Sequence, residues 1–281
     1  MRLPPWLKTN TYRDLHNTKG LLRKRQLSTV CEEAQCPNKG YCFSKPTATF
    51  LILGDTCTRN CSFCSVTPGT PSIPDPDEPE RVARASRDMG LKYVVITSVT
   101  RDDLPDGGAE QFALTIMTVR SIIPSAKIEI LTPDFRGNAR SIQTVIDASP
   151  DVFNHNLETV PRLYNEVRPQ ADYRRSLFVL EKASELSGTV LVKSGLMAGL
   201  GETTDEVISV MKDMFRAGCS MLTIGQYLRP RKNNIAVKEY IHPDLFDTYK
   251  EEALKIGFTF VSSAPLVRSS MNAEEVFLHS N

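Results

Sequence analysis

With 281 residues, of which 41% are hydrophobic and 24% charged, the chain has the means to bury a sizeable core and is neither low-complexity nor disordered. Thirty-four Lys and Arg stand against 33 Asp and Glu, and the net charge of +1 supplies no overall pull toward nucleic acid or a membrane surface. No run of about eighteen apolar residues occurs, and MRLPPWLKTN lacks the apolar stretch of a secretory signal, so a cytoplasmic protein is the expectation.

The first thirty residues depart from this neutrality. Arg2, Lys8, Arg13, Lys19, Arg23, Lys24 and Arg25 face a single acid, Asp14, leaving +6 on that segment. It reads either as a solvated basic arm or as a docking surface for an acidic partner. Next comes CEEAQCPNKGYC, with Cys31, Cys36 and Cys42, and then GDTCTRNCSFC, with Cys57, Cys61 and Cys64. Six cysteines packed into positions 31 to 64 of a chain expected to stay reduced read as metal ligands rather than disulfides. Each set holds three thiols, one short of a closed zinc site or a fully protein-ligated cluster. Either a fourth ligand lies elsewhere or one metal corner is open.

From residue 47 onward, apolar β-branched runs alternate with segments of helical period. Strands are predicted at 47–53, 93–97, 127–131, 151–155, 189–193, 221–225 and 258–262. Helices are predicted at 79–90, which stops at Gly90, and at 203–218, which opens on threonine caps and early acids. Asp102 and Asp103, in TRDDLPDGG, are candidates to cap the helix that follows them. Cys219 precedes an apolar run and reads as a buried core thiol. Repeated strand–helix units with nearly continuous apolar strands imply parallel pairing, as a doubly wound sheet or a barrel. Six or seven units and no GxGxxG after the first strand favour a complete or partial barrel. Either architecture places active groups after strand ends, where GDTCTRNCSFC lies.

CxxxCxxC after the first strand resembles the radical S-adenosylmethionine enzymes. Together with the upstream CxxxxCxxxxxC, and with KPTATFLILGDTCTRNCSFC, ITSVTRDDLPDGGAEQF, IEILTPDF, FNHNLETV, VKSGLMAGLGET, MLTIGQYLRP and PLVRSSM, the chain resembles the lipoyl synthases along nearly its whole length. The resemblance implies an α/β fold, a partial parallel (β/α)6 barrel of radical SAM type. It divides the chain into a cysteine-bearing extension over 1–46, the barrel over 47–262 and a C-terminal segment over 263–281. It implies two 4Fe–4S clusters and S-adenosyl-L-methionine as cofactors. Cys57, Cys61 and Cys64 would hold the first cluster and leave one iron for the cofactor. Cys31, Cys36 and Cys42 would hold the auxiliary cluster, whose fourth ligand by the RSS motif is Ser270, with Ser269 the alternative.

Cofactor contacts are expected from Thr97, Ser98, Asn156, Glu158 and Lys193, at or after strand ends, and Gly195, Gly199 and Gly201 would admit close approach of the adenine or substrate. Asn156 and Glu158 closing a turn, and Lys193 pairing with an acid, are the structural alternatives. The implied activity is sulfur insertion at carbons 6 and 8 of an octanoyl-lysine. Implied partners are octanoylated lipoyl-carrier domains, either a glycine cleavage H protein or a 2-oxoacid dehydrogenase E2 subunit, and an electron donor such as flavodoxin or ferredoxin. A biotin synthase-like sulfur-inserting enzyme and a zinc-binding interaction protein are the alternatives. The chain departs from the family at Met271 and Asn272, where RSSY is usual, and at Asn233 and Asn234, where a histidine is frequent.

Overall fold

A computed structural model describes residues 2–9, 16–44, 47–271 and 273. Arg13, Asp14 and Asn272, singled out above, lie outside the described residues, as does 274–281 of the expected C-terminal segment. The chain divides into two compact units, one formed by Thr9–Asn60 with Ser65–Phe153, the other by Met1–Lys8, Cys61–Cys64 and Asn154–Asn281.

In the first unit, α1 (His16–Lys24) leads into β1 (Ser28–Thr29), α2 (Val30–Glu33) and α3 (Lys39–Ser44). β2 (Thr49–Ile52) is followed by the two-residue strands β3 (Thr56–Cys57) and β4 (Thr67–Pro68), which pair with each other. Then come α4 (Glu78–Asp88), β5 (Tyr93–Ser98), α5 (Ala109–Ile122), β6 (Lys127–Leu131), α6 (Ala139–Asp147) and β7 (Val152–Asn154), whose last residue, Asn154, belongs to the second unit. β1 lies antiparallel to β2, whereas β2 pairs parallel to β5 and β5 parallel to β6. All four residues of β2 and five of six in β5 are buried, the run expected of strands covered on both faces. α4 starts with Pro79 in its first turn between Glu78 and Glu80 and carries Arg87 in its last, so both ends suit the helix dipole.

The second unit contains α7 (Tyr164–Val167), α8 (Tyr173–Leu186), β8 (Leu191–Ala198), α9 (Thr204–Arg216), β9 (Met221–Gln226), α10 (Pro243–Ile256) and β10 (Phe260–Ser263). β8, β9 and β10 are parallel neighbours. Thr203 and Glu206 close a reciprocal capping box at the start of α9, and Val207, Val210, Met211 and Met214 form its buried face. After β10 the chain folds back along β9, with Ala264 N donating to Ile224 O at 3.2 Å and Gln226 N to Pro265 O at 3.1 Å. A Cβ on Gly225 would stand 2.1 Å from the Val267 carbonyl oxygen, so the C-terminal segment lies against β9 at a separation only glycine permits.

The seven predicted strands and both predicted helices are present, with β8 running five residues beyond its expected end at Lys193. The short helices carrying the first cysteines were not predicted. They are four and six residues long, too brief for a helical period to register.

Candidate active site

In the first unit, Leu53 and Gly54 leave β2 in left-handed conformation, with φ of 67° and 89°, and turn the chain into the loop that carries Cys57. The sulfur of Cys57 accepts hydrogen bonds from the backbone N–H groups of Arg59 (3.4 Å) and Thr100 (3.3 Å). These two donors fix where the sulfur points. Thr58 joins the two loops, donating through its hydroxyl to Thr100 O at 2.9 Å and accepting from Asp102 N at 3.0 Å.

Arg59 is buried and bidentate to two carboxylates. Its guanidinium meets Asp102 at 2.7 and 2.8 Å and Asp134 at 2.9 and 2.7 Å. Burial works against the positive charge, and the two aspartates more than restore it. Asp134 is fully buried and also receives Arg136 N at 3.0 Å, so the pairing is what allows a carboxylate to lie there. The expectation that Asp102 and Asp103 cap α5 is corrected. Asp102 binds Arg59, Asp103 binds Arg101 at 2.8 Å, and Asp106 receives Gly108 N and Glu110 N at the helix start.

Cys31, Cys36 and Cys42 also belong to the first unit. Cys36 N donates to Cys31 O at 3.2 Å and Cys42 N to Asn38 O at 2.9 Å, so Cys31 in α2, Cys36 in the turn that follows and Cys42 in α3 are each fixed by local backbone bonds. Burial, reinforced by the neighbouring Cys36 and Cys42 thiols, pushes the Cys31 thiol up to about 12. Thr97 and Ser98 end β5. The Thr97 hydroxyl is already engaged with Leu131 O at 2.9 Å, whereas the buried Ser98 hydroxyl has no partner among the described residues.

Cys61 and Cys64 lie in the second unit, where Cys64 N donates to Cys61 O at 3.1 Å. Ser62 N donates to Val167 O at 3.0 Å, and Ile235 N to Ser62 O at 2.9 Å. The Asn234 amide donates to both Ser62 O (3.1 Å) and Cys64 O (2.7 Å). One of the two family departures thus clasps the cysteine loop, a role spacing could not reveal across 170 residues.

Asn156, Glu158 and Lys193 come together with the C-terminal segment. The Asn156 amide donates to Glu158 Oε1 at 3.1 Å and its carbonyl oxygen accepts from the Ser269 hydroxyl at 3.0 Å. Glu158 adopts φ of 68°, and burial pushes its carboxyl up against the opposing effects of Arg168 and Asn156. Arg168, unanticipated from sequence, holds this turn by donating to Asn156 O at 2.9 Å and Leu157 O at 3.1 Å. Lys193 is fully buried, and its ammonium donates to the Ser269 carbonyl at 2.7 Å. Gly199 serves the protein itself, since a Cβ there would meet Gln226 Nε2 at 2.1 Å and Glu239 O at 2.4 Å.

All seven cysteines are present as thiols, and Cys219 is buried as expected. Among the described residues no three His, Cys, Asp or Glu side chains converge on one point as a mononuclear metal group. A cubane cluster does not ask for that, because each thiolate binds a different iron. Soft thiol donors, amide groups on the Cys57 sulfur and the unengaged Ser98 hydroxyl fit iron–sulfur and polar cofactor ligands.

The Radical SAM superfamily model matches residues 51–214. Lipoyl synthase of Caldanaerobacter subterraneus subsp. tengcongensis is 54% identical over 98% of this chain and 96% of its own length, and that of Alkaliphilus metalliredigens 54% identical over 98% and 95%. Among solved structures, Streptococcus suis SuiB bound to S-adenosylmethionine aligns with a TM-score of 0.58 at 14% identity, over 76% of this chain and 48% of that one. Methylornithine synthase aligns with a TM-score of 0.50 at 15% identity, over 94% and 86%. These two likenesses establish the α/β radical SAM fold, and the near full-length identity narrows it: the chain belongs to the lipoyl synthase family of radical SAM enzymes.

Proposed function

We propose that this sulfurtransferase works with two 4Fe–4S clusters, one held by Cys57, Cys61 and Cys64 and the other by Cys31, Cys36, Cys42 and Ser270. The carrying observation is identity of 54% over 98% of the chain to curated lipoyl synthases, joined to two complete cysteine triads. With S-adenosylmethionine bound, the first cluster would supply a 5′-deoxyadenosyl radical, a species reactive enough to remove hydrogen from the unactivated carbons 6 and 8 of a protein-bound octanoyl-lysine, which no side-chain base can do. The auxiliary cluster held by Cys31, Cys36, Cys42 and Ser270 would supply the sulfur for both positions.

The chain's own residues hold and orient these groups. Thr58, Arg59 and Thr100 set the Cys57 sulfur, and Asn234 sets the Cys61–Cys64 turn. Asn156 and Glu158 offer amide and carboxylate groups to the ribose hydroxyls, and Ser98 offers its hydroxyl to the cofactor's amino-acid end. The RSS motif points to Ser270 as the auxiliary ligand, while the Ser269 hydroxyl is held by Asn154 (2.8 Å) and Asn156 (3.0 Å). An alkoxide is a harder, more readily released ligand to iron than a thiolate, as a cluster that must open requires.

The segments 1–46, 47–262 and 263–281 carry, in this reading, the auxiliary thiols, the radical chemistry and the serine ligand. The substrates are octanoylated lipoyl-carrier domains, a glycine cleavage H protein or a 2-oxoacid dehydrogenase E2 subunit, with flavodoxin or ferredoxin as reductant, in the cytoplasm. Among the described residues no helix is long and apolar enough to cross a membrane. Arg23 and Lys24, in the last turn of α1, are the exposed basic groups for an acidic carrier, while Arg25 is engaged by Asp88. The test is anaerobic turnover of an octanoyl-lysine peptide with dithionite and S-adenosylmethionine, read by mass spectrometry. Gain of two sulfurs with 5′-deoxyadenosine is expected; deoxyadenosine with unchanged octanoyl-lysine would overturn the substrate assignment.

A further inference from the structure

Lys193 was expected at the cofactor. Its side chain, with no exposed surface, donates to the Ser269 carbonyl at 2.7 Å. The Ser269 hydroxyl accepts from Asn154 Nδ2 at 2.8 Å and donates to Asn156 Oδ1 at 3.0 Å. One residue of the C-terminal segment is therefore held through both its backbone and its side chain by three residues of β7, β8 and the turn between them. The close seat of Val267 against Gly225, and the turn closed by Met271 N on Arg268 O at 2.9 Å, bracket it on either side.

We propose that Lys193, Asn154 and Asn156 are positioning residues for the C-terminal segment, fixing Ser269 so that the adjoining Ser270 is presented as the auxiliary ligand. This rests on the reading of Ser270 under Proposed function, and it reassigns Lys193 from cofactor binding to ligand presentation. The physical reason is constraint. Serine is a weak ligand, and its residence on iron depends on how few alternatives its backbone has. A charge-assisted bond to the Ser269 carbonyl and two bonds to its hydroxyl remove those alternatives. Asn156 also donates to Glu158, so the turn proposed for the ribose is built from one of the same residues.

The experiment uses the full chain, reconstituted anaerobically, as Lys193→Met and Ser269→Ala. Three quantities are read: iron released to a chelator over time, affinity for S-adenosylmethionine by equilibrium dialysis, and unfolding temperature of the metal-free chain. Wild type should hold about eight irons. The variants should release about four of them roughly tenfold faster, the effect of losing one charge-assisted or two ordinary hydrogen bonds. The remaining four irons and the cofactor affinity should stay within about twofold of wild type, since the first cluster's ligands are untouched. Ser269→Ala introduces no buried charge and no sizeable cavity, so it decides the matter if Lys193→Met fails to fold. Weakened S-adenosylmethionine binding with chelator resistance retained would overturn the proposal and return Lys193 to the cofactor. Equal release from wild type and both variants would overturn it as well. A wild-type chain that holds only about four irons would overturn the two-cluster reading itself and this inference with it.

Discussion

Arg59→Met tests whether the buried guanidinium is what holds the first cysteine in place. Arg59 makes four hydrogen bonds of 2.7 to 2.9 Å, two to each of Asp102 and Asp134. The Asp102 side chain keeps 27% of its exposure and is re-solvated cheaply, whereas that of Asp134 has none. Losing the partner of a buried carboxylate costs about 3–5 kcal/mol, almost all of it here from Asp134. With a urea slope of about 3 kcal/mol/M, the unfolding midpoint of the reduced, metal-free chain should fall by about 1–2 M. Adding Asp134→Asn removes the orphaned charge, so the double variant should be more stable than Arg59→Met alone. Iron in the first cluster should fall in Arg59→Met in step with the loosened loop. A midpoint shift below about 0.3 M, or strictly additive losses in the double variant, would refute the claim that the ion pair bears this burden.

Changing Ser270 to Cys should let an auxiliary cluster assemble yet block sulfur release; unaltered product yield would remove Ser270 as the ligand. Charge reversal at Arg23 and Lys24 should raise KM for an acidic carrier domain about tenfold or less while leaving a short octanoyl peptide unaffected, as exposed charges act through steering rather than contact. In the metal-free reduced chain, iodoacetamide at about pH 8 should label Cys36 well before Cys31, because a thiol pushed up to about 12 is almost wholly protonated there; mapped alkylation that begins at Cys31 would contradict its burial. Glu206, held down to about 2 by Arg162 and the Thr203 amide, stabilises the fold above its unfolded value near 4.3. That contribution should fade as pH falls from about 5 toward 2, and Arg162→Gln should flatten the acid limb of a stability–pH curve.

Much of this architecture was readable because the strands are buried on both faces. TFLI and YVVITS are nearly continuous apolar runs, and each lies where its run predicted. Thr203 and Glu206 announced the start of α9 through a local box that needs no distant partner. Cysteine spacing is local in the same sense, and it separated two triads and left each one ligand short. The Asp102 and Asp103 expectation failed for the opposite reason. Capping looks only a few residues ahead, and an arginine 43 positions away in sequence claimed Asp102 first.

Sequence alone therefore determined where the strands lie along the chain, the grouping of six cysteines into two triads and the family, since these depend on residues adjacent along the chain. Tertiary structure alone decided which polar groups those residues had left to offer. The Lys193 ammonium went to the Ser269 carbonyl, the Thr97 hydroxyl to Leu131 O, and the Asn234 amide to the cysteine turn, while the Ser98 hydroxyl has no partner among the described residues. A buried hydrogen-bonding group must find a partner somewhere, and which one it finds is set by chain segments that folding, not spacing, brings within 3 Å or so.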